Sequence, residues 1–334
     1  MITPGLYQIR IPIPIRSLGE VFSYLVTDSN HNLLIDCGWP SDEAYSCLET
    51  SLQALNLEVK DIEQVVVSHL HPDHFGLVEQ IKDRSRDVKV IMLKADADQI
   101  LNSYEEYGSL IDELHNFLAE HGTPEEELKV MLEASVEMLR FFRPPKPTDI
   151  VTGGEKVRVG EKWSFEVIPT PGHTIGTMCL YDRGSQILFS GDHVLPTITP
   201  NVSLGPRYAD DPLGDYLNSL ERVNKLQALQ VLPSHEYVFT SLQKRVGEIK
   251  QHHNERLAEA LSIIVANSQS VSGYHVASKL HWYSGRWEEL GPWERRAAVM
   301  ETLAHLDYLR RQGKLRMTSE LAGSKNLIRF EKVS

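Results

Sequence analysis

The chain of 334 residues has few of the features that mark secreted or membrane proteins. Its three cysteines, Cys37, Cys47 and Cys179, are too few and too scattered for a disulfide framework. No run of about eighteen apolar residues occurs, so we expect no membrane-spanning helix and no membrane partner. The first residues lack a basic start followed by an apolar core, so we expect no signal peptide. Together these absences predict a cytoplasmic protein.

The chain also lacks an excess of positive charge. It contains 34 lysines and arginines against 46 aspartates and glutamates, which gives a formal net charge of −12 at pH 7. No stretch concentrates lysine and arginine, whereas proteins that bind nucleic acids need a positive surface to contact phosphates. The composition therefore argues against a nucleic-acid partner and favours a small-molecule substrate.

What the chain does contain is a dense group of metal-binding side chains after an apolar segment. Residues 65–67 (Val-Val-Val) indicate a buried strand, and the sequence His-Leu-His-Pro-Asp-His follows shortly after it. In an extended segment, residues i and i+2 point to the same side, so His69 and His71 can bind one metal ion. Asp73 and His74 follow where the chain must turn, and they could face a second ion. Imidazole and carboxylate groups without thiolates suit zinc, iron or manganese.

Three later segments, each after a predicted strand, supply further ligands. His173 lies in Pro-Gly-His-Thr, Asp192 in Ser-Gly-Asp, and His235 in Pro-Ser-His-Glu. Two metal ions about 3.5–4 Å apart need a bridging oxygen ligand. The seven side chains therefore fit two divalent metal ions, which we expect to be zinc, with iron or manganese as alternatives. The first set is His69, His71 and His173; the second is Asp73, His74 and His235, with Asp192 as the bridge.

These motifs, in this order, resemble the motif series of the metallo-β-lactamase superfamily. The early Asp36-Cys37-Gly38 also resembles the family's first motif, and the resemblance covers roughly residues 5–240. It implies an α/β (α+β) fold, a four-layer αβ/βα sandwich with the metals at one edge between two sheets. It also implies that Asp36 hydrogen-bonds to the site and orients the metal ligands. A turn-capping role for Asp36 remains the alternative.

A helical insertion is predicted within the catalytic domain, over about residues 96–147. Apolar residues recur at three- and four-residue spacings between Asp96 and Arg143, which predicts helices. Residues 123–126 (Thr-Pro-Glu-Glu) have the N-cap and first-turn pattern of a new helix, and prolines at residues 144–147 end the insertion. The insertion could form a lid over the substrate, a dimer contact or a surface elaboration.

The segment that follows predicts a second domain. We place the metallo-β-lactamase catalytic domain at residues 1–243 and a helical C-terminal domain at residues 244–334. Amphipathic helices followed by a small hairpin resemble a winged helix; the predicted helices are 244–268, 272–279 and 294–312. Superfamily members similar to lactamase-β-like protein 2 carry such a module, and this resemblance favours a role in packing or in a homodimer over DNA binding.

Residues outside the motifs are expected to be structural. Seven histidines lie in polar or helical-surface contexts without metal-ligand spacing: His31, His115, His121, His252, His253, His275 and His305. Three of the five tryptophans lie between residues 282 and 293. They could line a substrate pocket, but the core of a small domain is the favoured interpretation, because tryptophan often anchors helices.

The predicted metals indicate hydrolysis. Water that bridges two divalent ions has its pKa lowered toward neutrality, and the resulting hydroxide can attack a carbonyl or phosphoryl centre. Asp73 could orient this nucleophile, and Tyr237, two residues after His235, could stabilise the oxyanion. We therefore predict Asp73 and Tyr237 as catalytic residues of a dinuclear hydrolase that cleaves an ester, thioester or lactone. A phosphodiesterase or ribonuclease of the same superfamily is the alternative.

Overall fold

The computed structural model describes residues 1–14, 18–103, 107–139, 144, 146–207, 209–283, 285–322 and 325–333. The chain divides into two compact units. The first consists of Met1–Tyr104, Phe141–Pro200 and Ser219–Val246, and the second of Glu105–Arg140, Asn201–Asn218 and Gly247–Ser334. Each unit is described by itself below.

Six strands form the first sheet of the first unit, in the spatial order β1 to β6. Their bounds are β1 Leu6–Pro12, β2 Glu20–Asp28, β3 His31–Ile35, β4 Gln64–Val66, β5 Lys89–Leu93 and β6 Asp149–Val151. The first three strands are antiparallel neighbours, while β3 to β6 run parallel. Parallel strands covered on both faces are continuously apolar. This explains why residues 90–93 of β5 are all buried.

Five strands form the second sheet of this unit, in the order β11-β10-β9-β8-β7. Their bounds are β7 Lys156–Val159, β8 Trp163–Pro169, β9 Met178–Asp182, β10 Ile187–Gly191 and β11 Gln230–Pro233. The strands β7 to β10 are antiparallel neighbours, and β11 pairs parallel with β10. Every residue of β10 is buried, as its apolar sequence predicts.

The inner faces of the two sheets share one hydrophobic core. The Tyr24 ring on β2 lies 5.2 Å from the Phe189 ring on β10, edge to face. Phe165 on β8 lies 5.4 Å from the same Phe189 ring. Two facing sheets with a shared apolar interior are the arrangement of a sandwich. The predicted metallo-β-lactamase sandwich fold is therefore confirmed.

Helices flank the sheets. In the first unit they are α1 Asp42–Gln53, α2 Pro72–Phe75, α3 Val78–Arg84 and α4 Lys94–Ser103; α7 Pro212–Asn224 begins among the residues of the second unit and ends among those of the first. The first begins at Ser41, whose hydroxyl accepts a hydrogen bond from the Ala44 N–H, and carries acidic residues in its first turn. None of the helices in the described part of the chain combines the length and apolarity needed to cross a membrane.

The second unit is mainly helical and ends in a two-stranded sheet. Its elements are α5 Tyr107–Glu120, α6 Glu125–Leu139, most of α8 Leu242–Ala266, α9 Gly273–Ala277, α10 Pro292–Arg311, β12 Leu315–Ala322 and β13 Lys325–Lys332. The three predicted C-terminal helices and the hairpin are therefore present. Each end of the three helices lies within two residues of its predicted position. The description as a winged helix stays a prediction.

Two helices of the predicted insertion, α5 and α6, belong to the second unit together with the C-terminal segment. Helix α6 packs against α10, and α5 packs against β13. An ion pair of 2.9 Å between Arg295 and Glu127 joins α10 to α6. Hydrophobic periodicity predicts which face of a helix is buried, but it contains no information about the partner of that face. The boundary at residue 243 and the lid role stay predictions.

Three histidines expected in polar or surface contexts are buried. His121, His253 and His305 have exposed fractions of 5 %, 1 % and 0 %. His253 Nδ1 lies 3.0 Å from His305 Nε2, and burial lowers the pKa of both side chains. The expectation was wrong because tertiary packing covers all three: His253 on α8 and His305 on α10 face each other, and the ring of His121, directly after α5, lies 6.4 Å from the ring of Phe330 on β13.

Of the three clustered tryptophans, Trp287 lies in the core of the second unit, whereas Trp293 is 40 % exposed. Trp287 is buried and packs edge to face against Tyr274, with ring centroids 5.3 Å apart. The Arg295 guanidinium lies 5.6 Å from the centroid of the Trp287 ring. These contacts agree with the favoured structural interpretation of this residue.

Candidate metal centre

The predicted ligands follow strand ends of the first unit. Strands β4, β10 and β11 end at Val66, Gly191 and Pro233, shortly before ligands in each case. Asp73 and His74 lie in the short helix α2 rather than in an irregular turn, because Pro72 at its first position favours helical geometry. The turn predicted for the chain at these two residues is thus a single short helix.

Two glycines shape the turns that present later ligands. Gly172, directly before His173, has a φ of 140°, and Gly191, directly before Asp192, has a φ of 52°. Residues with a side chain rarely adopt such φ values, whereas glycine adopts them readily. The Pro-Gly-His and Ser-Gly-Asp motifs thus combine a ligand with the residue that its turn requires.

The first group of ligands consists of three histidines. His71 Nδ1 lies 3.0 Å from His69 Nε2 and 3.1 Å from His173 Nε2. One nitrogen from each ring lies within 4.8 Å of the corresponding nitrogens of the other two. This is the set that the sequence predicted for the first ion.

The second group consists of Asp73, His74 and His235. Asp73 Oδ2 lies 3.6 Å from His74 Nε2 and 3.4 Å from His235 Nε2. The three ligand atoms lie within 4.8 Å of one another. This is the set that the sequence predicted for the second ion.

Asp192 lies between the two groups. Its Oδ2 atom is 3.6 Å from His74 Nε2, 3.6 Å from His235 Nε2 and 3.8 Å from His173 Nε2. One carboxylate oxygen is therefore near nitrogens of both groups, the arrangement expected of a bridging ligand.

The spacing and the hydrogen bonding of these atoms fit divalent metal ions. Zinc holds nitrogen and oxygen ligands at about 2.0–2.2 Å in a tetrahedron, which places neighbouring ligand atoms about 3.4 Å apart. The nitrogen and oxygen atoms above are separated by similar distances. Among the described residues, the buried atoms His74 Nε2, His235 Nε2 and Asp192 Oδ1 have no hydrogen-bond partner. A buried polar atom without a partner costs about 1–3 kcal/mol, and binding to a metal ion removes that penalty.

The electrostatics of the centre also favour a cation. Burial lowers the pKa of His69 and His71, so both rings are neutral, the form that binds metal. Burial alone would also lower the pKa of His74 and His235, but the neighbouring carboxylates outweigh it and raise both values. The Asp73 and Asp192 carboxylates thus attract positive charge, which divalent ions would supply in place of protons.

Neighbouring groups fix the orientation of the histidine rings. His74 Nδ1 donates to Asp36 Oδ2 at 2.8 Å, and His235 Nδ1 donates to the Glu20 carbonyl at 2.9 Å. His69 Nδ1 lies 3.1 Å from the Ser68 hydroxyl. In each ring the other nitrogen, Nε2, faces the ligand group. Such hydrogen bonds set the tautomer and direction of metal-binding imidazoles.

Asp36 has the hydrogen-bonding role that the family resemblance implied. Besides His74, its carboxylate accepts bonds from the Ser68 N–H at 2.7 Å, the Ser68 hydroxyl at 2.8 Å and the Ser234 hydroxyl at 3.2 Å. Asp36 is buried and has a φ of 56°. Its carboxylate joins the segments on either side of the second ligand group, which goes beyond capping a turn.

The loop after Asp192 is held by two charged residues that the sequence did not single out. Arg245 donates to the carbonyl oxygens of residues 195, 197 and 198, at 2.6, 2.8 and 2.7 Å. Glu236 accepts from the N–H groups of residues 197 and 198, at 2.8 and 3.2 Å. Because Glu236 directly follows His235, this loop is tied to the turn of a metal ligand.

Tyr237 extends away from the protein interior, with 52 % of its surface exposed. Its role as an oxyanion donor stays a prediction.

The family model described as the metallo-beta-lactamase superfamily matches residues 16–235. The chain belongs to this superfamily. It is similar to the probable metallo-hydrolase YqjP of Bacillus subtilis, 28 % identical over 314 residues, which cover 92 % of this chain and 93 % of YqjP. The predicted resemblance to lactamase-β-like protein 2 is confirmed by a homologue from Caenorhabditis elegans, 24 % identical over 84 % of this chain and 75 % of the relative.

A solved metallo-beta-lactamase family protein from Thermus thermophilus, TTHA1429, is similar over the full length of both chains. The identity is 26 % and the TM-score is 0.83. The fold and the hydrolase relatives together identify this protein as an enzyme of the metallo-beta-lactamase fold.

Two further relatives have names that state a reaction. The acyl-coenzyme A thioesterase MBLAC2 of Gallus gallus is 26 % identical over 52 % of this chain and 56 % of the relative. The hydroxyacylglutathione hydrolase of Methylobacillus flagellatus is 24 % identical over 78 % of this chain and 79 % of the relative.

Proposed function

We propose that this superfamily member is a dinuclear metal-dependent hydrolase that cleaves an acyl bond: an ester, a thioester or a lactone. The observation that carries the proposal is the position of Asp192, whose Oδ2 lies near both ligand groups. We assign His69, His71 and His173 to one ion and Asp73, His74 and His235 to the other. Zinc is the expected metal, because imidazoles and carboxylates without thiolates make up the seven candidate ligands.

In the proposed reaction, two bound divalent ions supply a Lewis acid for the carbonyl oxygen and lower the pKa of water. Asp73 orients the attacking water and takes up its proton. The water oxygen forms a bond to the acyl carbon, and the bond to the leaving oxygen or sulfur breaks. The proton held by Asp73 passes to that leaving atom, while the Tyr237 hydroxyl donates to the developing oxyanion.

The choice of an acyl substrate is supported by charge and by the named relatives. A formal net charge of −12 opposes the approach of a polyanionic nucleic acid. A thioesterase and a hydroxyacylglutathione hydrolase are both among the relatives, and both names describe thioester cleavage. We therefore place thioesters first among the acyl substrates to test.

The cellular setting is part of the same proposal. The three cysteines are unpaired, and Cys37 and Cys179 are buried. Free thiols persist where the surroundings are reducing. We propose a cytoplasmic location and a homodimer formed through the C-terminal segment, which sedimentation would detect as twice the mass of the chain.

Metal content and turnover on four model substrates test the proposal. The substrates are a p-nitrophenyl ester, an acyl thioester, an acyl-homoserine lactone and bis-p-nitrophenyl phosphate. We expect about two ions per chain and turnover of a carbonyl substrate, reduced about 10²–10⁴-fold in Asp73→Asn. The matched control is Asp98→Asn, because Asp98 is a half-exposed aspartate paired with Lys94. Turnover of the phosphodiester alone would contradict the acyl assignment and support the phosphodiesterase alternative.

A further inference from the structure

A buried carboxylate outside the ligand set lies next to the first ligand group. Asp96 belongs to helix α4 and has an exposed fraction of 1 %. An isolated carboxylate is expensive to bury unless hydrogen bonds or charges compensate it. Neighbouring groups must therefore compensate the burial of the Asp96 carboxylate.

Three donors reach the Asp96 carboxylate, and they come from two segments. The Leu70 N–H lies between the ligands His69 and His71, and it donates to Asp96. The Gly176 N–H donates as well, and the Thr174 hydroxyl lies 3.4 Å from both carboxylate oxygens. Thr174 directly follows His173. One side chain thus bonds to both segments that carry the first ligand group.

The backbone at Gly176 is shaped for this contact. A Cβ atom added there would lie 2.3 Å from Asp96 Cγ and 2.4 Å from Asp96 Oδ1, so only glycine permits the approach. The same turn is closed internally, because the Thr174 N–H donates to the Thr177 hydroxyl at 3.0 Å and the two hydroxyls are 2.9 Å apart. Hydrogen bonds thus close the turn internally, and Asp96 joins it to the His69–His71 segment.

Asp36 makes similar hydrogen bonds beside the second ligand group. It bonds to His74 directly, and through Ser68 and Ser234 to the segments before His69 and His235. We propose that Asp96 is a positioning residue that holds His71 and His173 in place for the first metal ion, and that it controls the affinity of that ion. This inference rests on the proposed metal centre.

Replacement of Asp96 should change the affinity for only one of the two ions. Groups that orient metal ligands typically change metal affinity about 10–100-fold when they are replaced. The second ligand group is held by Asp36 and by the Glu20 carbonyl, which Asp96 does not contact in the hydrogen bonds described above. Loss of the Asp96 carboxylate should therefore weaken the binding of the first ion and leave the affinity for the second ion nearly unchanged.

Zinc binding measured against a chromogenic chelator tests the inference without any substrate. Wild type should take up two zinc ions, and Asp96→Asn should bind one of them about 10–100-fold more weakly. Asp98→Asn is the matched control, because Asp98 lies on the same helix and pairs with Lys94 at 2.7 Å on the surface. The control should bind both ions as wild type does. Two unchanged zinc affinities in Asp96→Asn would overturn the inference.

Single-site backgrounds identify which ion is affected. In His235→Ala, which disrupts the second group, Asp96→Asn should weaken the remaining ion about 10–100-fold. In His173→Ala, which disrupts the first group, it should have almost no effect. Equal weakening in both backgrounds would overturn the inference, because it would indicate a general loss of structure.

A second variant covers the case in which Asp96→Asn does not fold. Gly176→Ala displaces the turn from the carboxylate while keeping every hydrogen-bonding side chain, and it should weaken the same ion. Unchanged zinc affinity in this variant would overturn the inference. Zinc binding of two ions by a wild type that cleaves no acyl substrate would contradict the proposed reaction but not the role of Asp96.

Discussion

The ionisation of Asp96 gives a pH dependence of stability that can be calculated in advance. Burial raises the pKa of this carboxyl from 3.8 to about 7, although the donors from Leu70, Gly176 and Thr174 oppose the shift. The folded protein therefore binds a proton more tightly than the unfolded chain does. A pKa raised by folding stabilises the protein fully below the unfolded pKa, and this stabilisation is lost as the pH rises through the folded pKa.

The magnitude follows from the size of the shift. One pKa unit corresponds to about 1.36 kcal/mol, so a shift of about three units corresponds to about 4 kcal/mol. Between pH 5 and pH 7 the Asp96 contribution to the unfolding free energy should fall by about 2–3 kcal/mol. Asp96→Asn lacks the titrating group, so this part of the pH dependence should be absent from the variant.

The assay is urea unfolding of the metal-free protein at pH 5, 6, 7 and 8, with a chelator present throughout. The difference in unfolding free energy between Asp96→Asn and wild type should change by about 2–3 kcal/mol in favour of the variant from pH 5 to pH 7. Asp98→Asn should follow wild type, because Asp98 is half-exposed and solvent screens its charge. If the difference in unfolding free energy between Asp96→Asn and wild type stayed constant across this pH range, folding would not raise the pKa of Asp96.

Three further predictions concern the groups around the centre. Asp36→Asn should weaken the second zinc ion about 10–100-fold in the chelator assay, because His74 loses its carboxylate partner; equal loss of both ions would contradict this. Arg245→Met should lower the unfolding free energy in urea by about 1–3 kcal/mol for each carbonyl left without a partner, and unchanged stability would contradict the described hydrogen bonds. Tyr237→Phe should lower kcat about 10-fold or more with zinc content unchanged, and an unchanged kcat would remove Tyr237 from the mechanism.

The ligand positions could be predicted because their motifs combine local signals. An apolar strand followed by His-x-His, and a glycine directly before His173 or Asp192, are readable within a few residues. The order of these motifs along the chain then predicts the sandwich through resemblance to a known family. The fold and the grouping of the ligands thus rest on information that is local in sequence.

The supporting residues could not be predicted because their partners are distant in sequence. Asp96 was visible only as the start of a helical insertion, yet its carboxylate bonds to residues 70, 174 and 176. Arg245 looked like one charge on an amphipathic helix, yet it donates to carbonyls about 50 residues earlier. A buried acid and a buried arginine give no periodic signal, so only the tertiary structure reveals their contacts.

The partners of the predicted insertion are not readable from the sequence for the same reason. Helices α5 and α6 interrupt the predicted catalytic domain in sequence, whereas they pack against α10 and β13. The buried pair His253 and His305 was missed because helical periodicity does not identify which polar residues a neighbouring helix will cover.

Anomalous X-ray diffraction at the zinc edge, from crystals of the zinc-loaded protein, tests the central claim most directly. We expect two anomalous peaks about 3.5–4 Å apart, with Asp192 between them and one ligand group around each. A single peak, or two peaks of which one lies outside these seven side chains, would contradict the dinuclear centre on which the proposed hydrolysis depends.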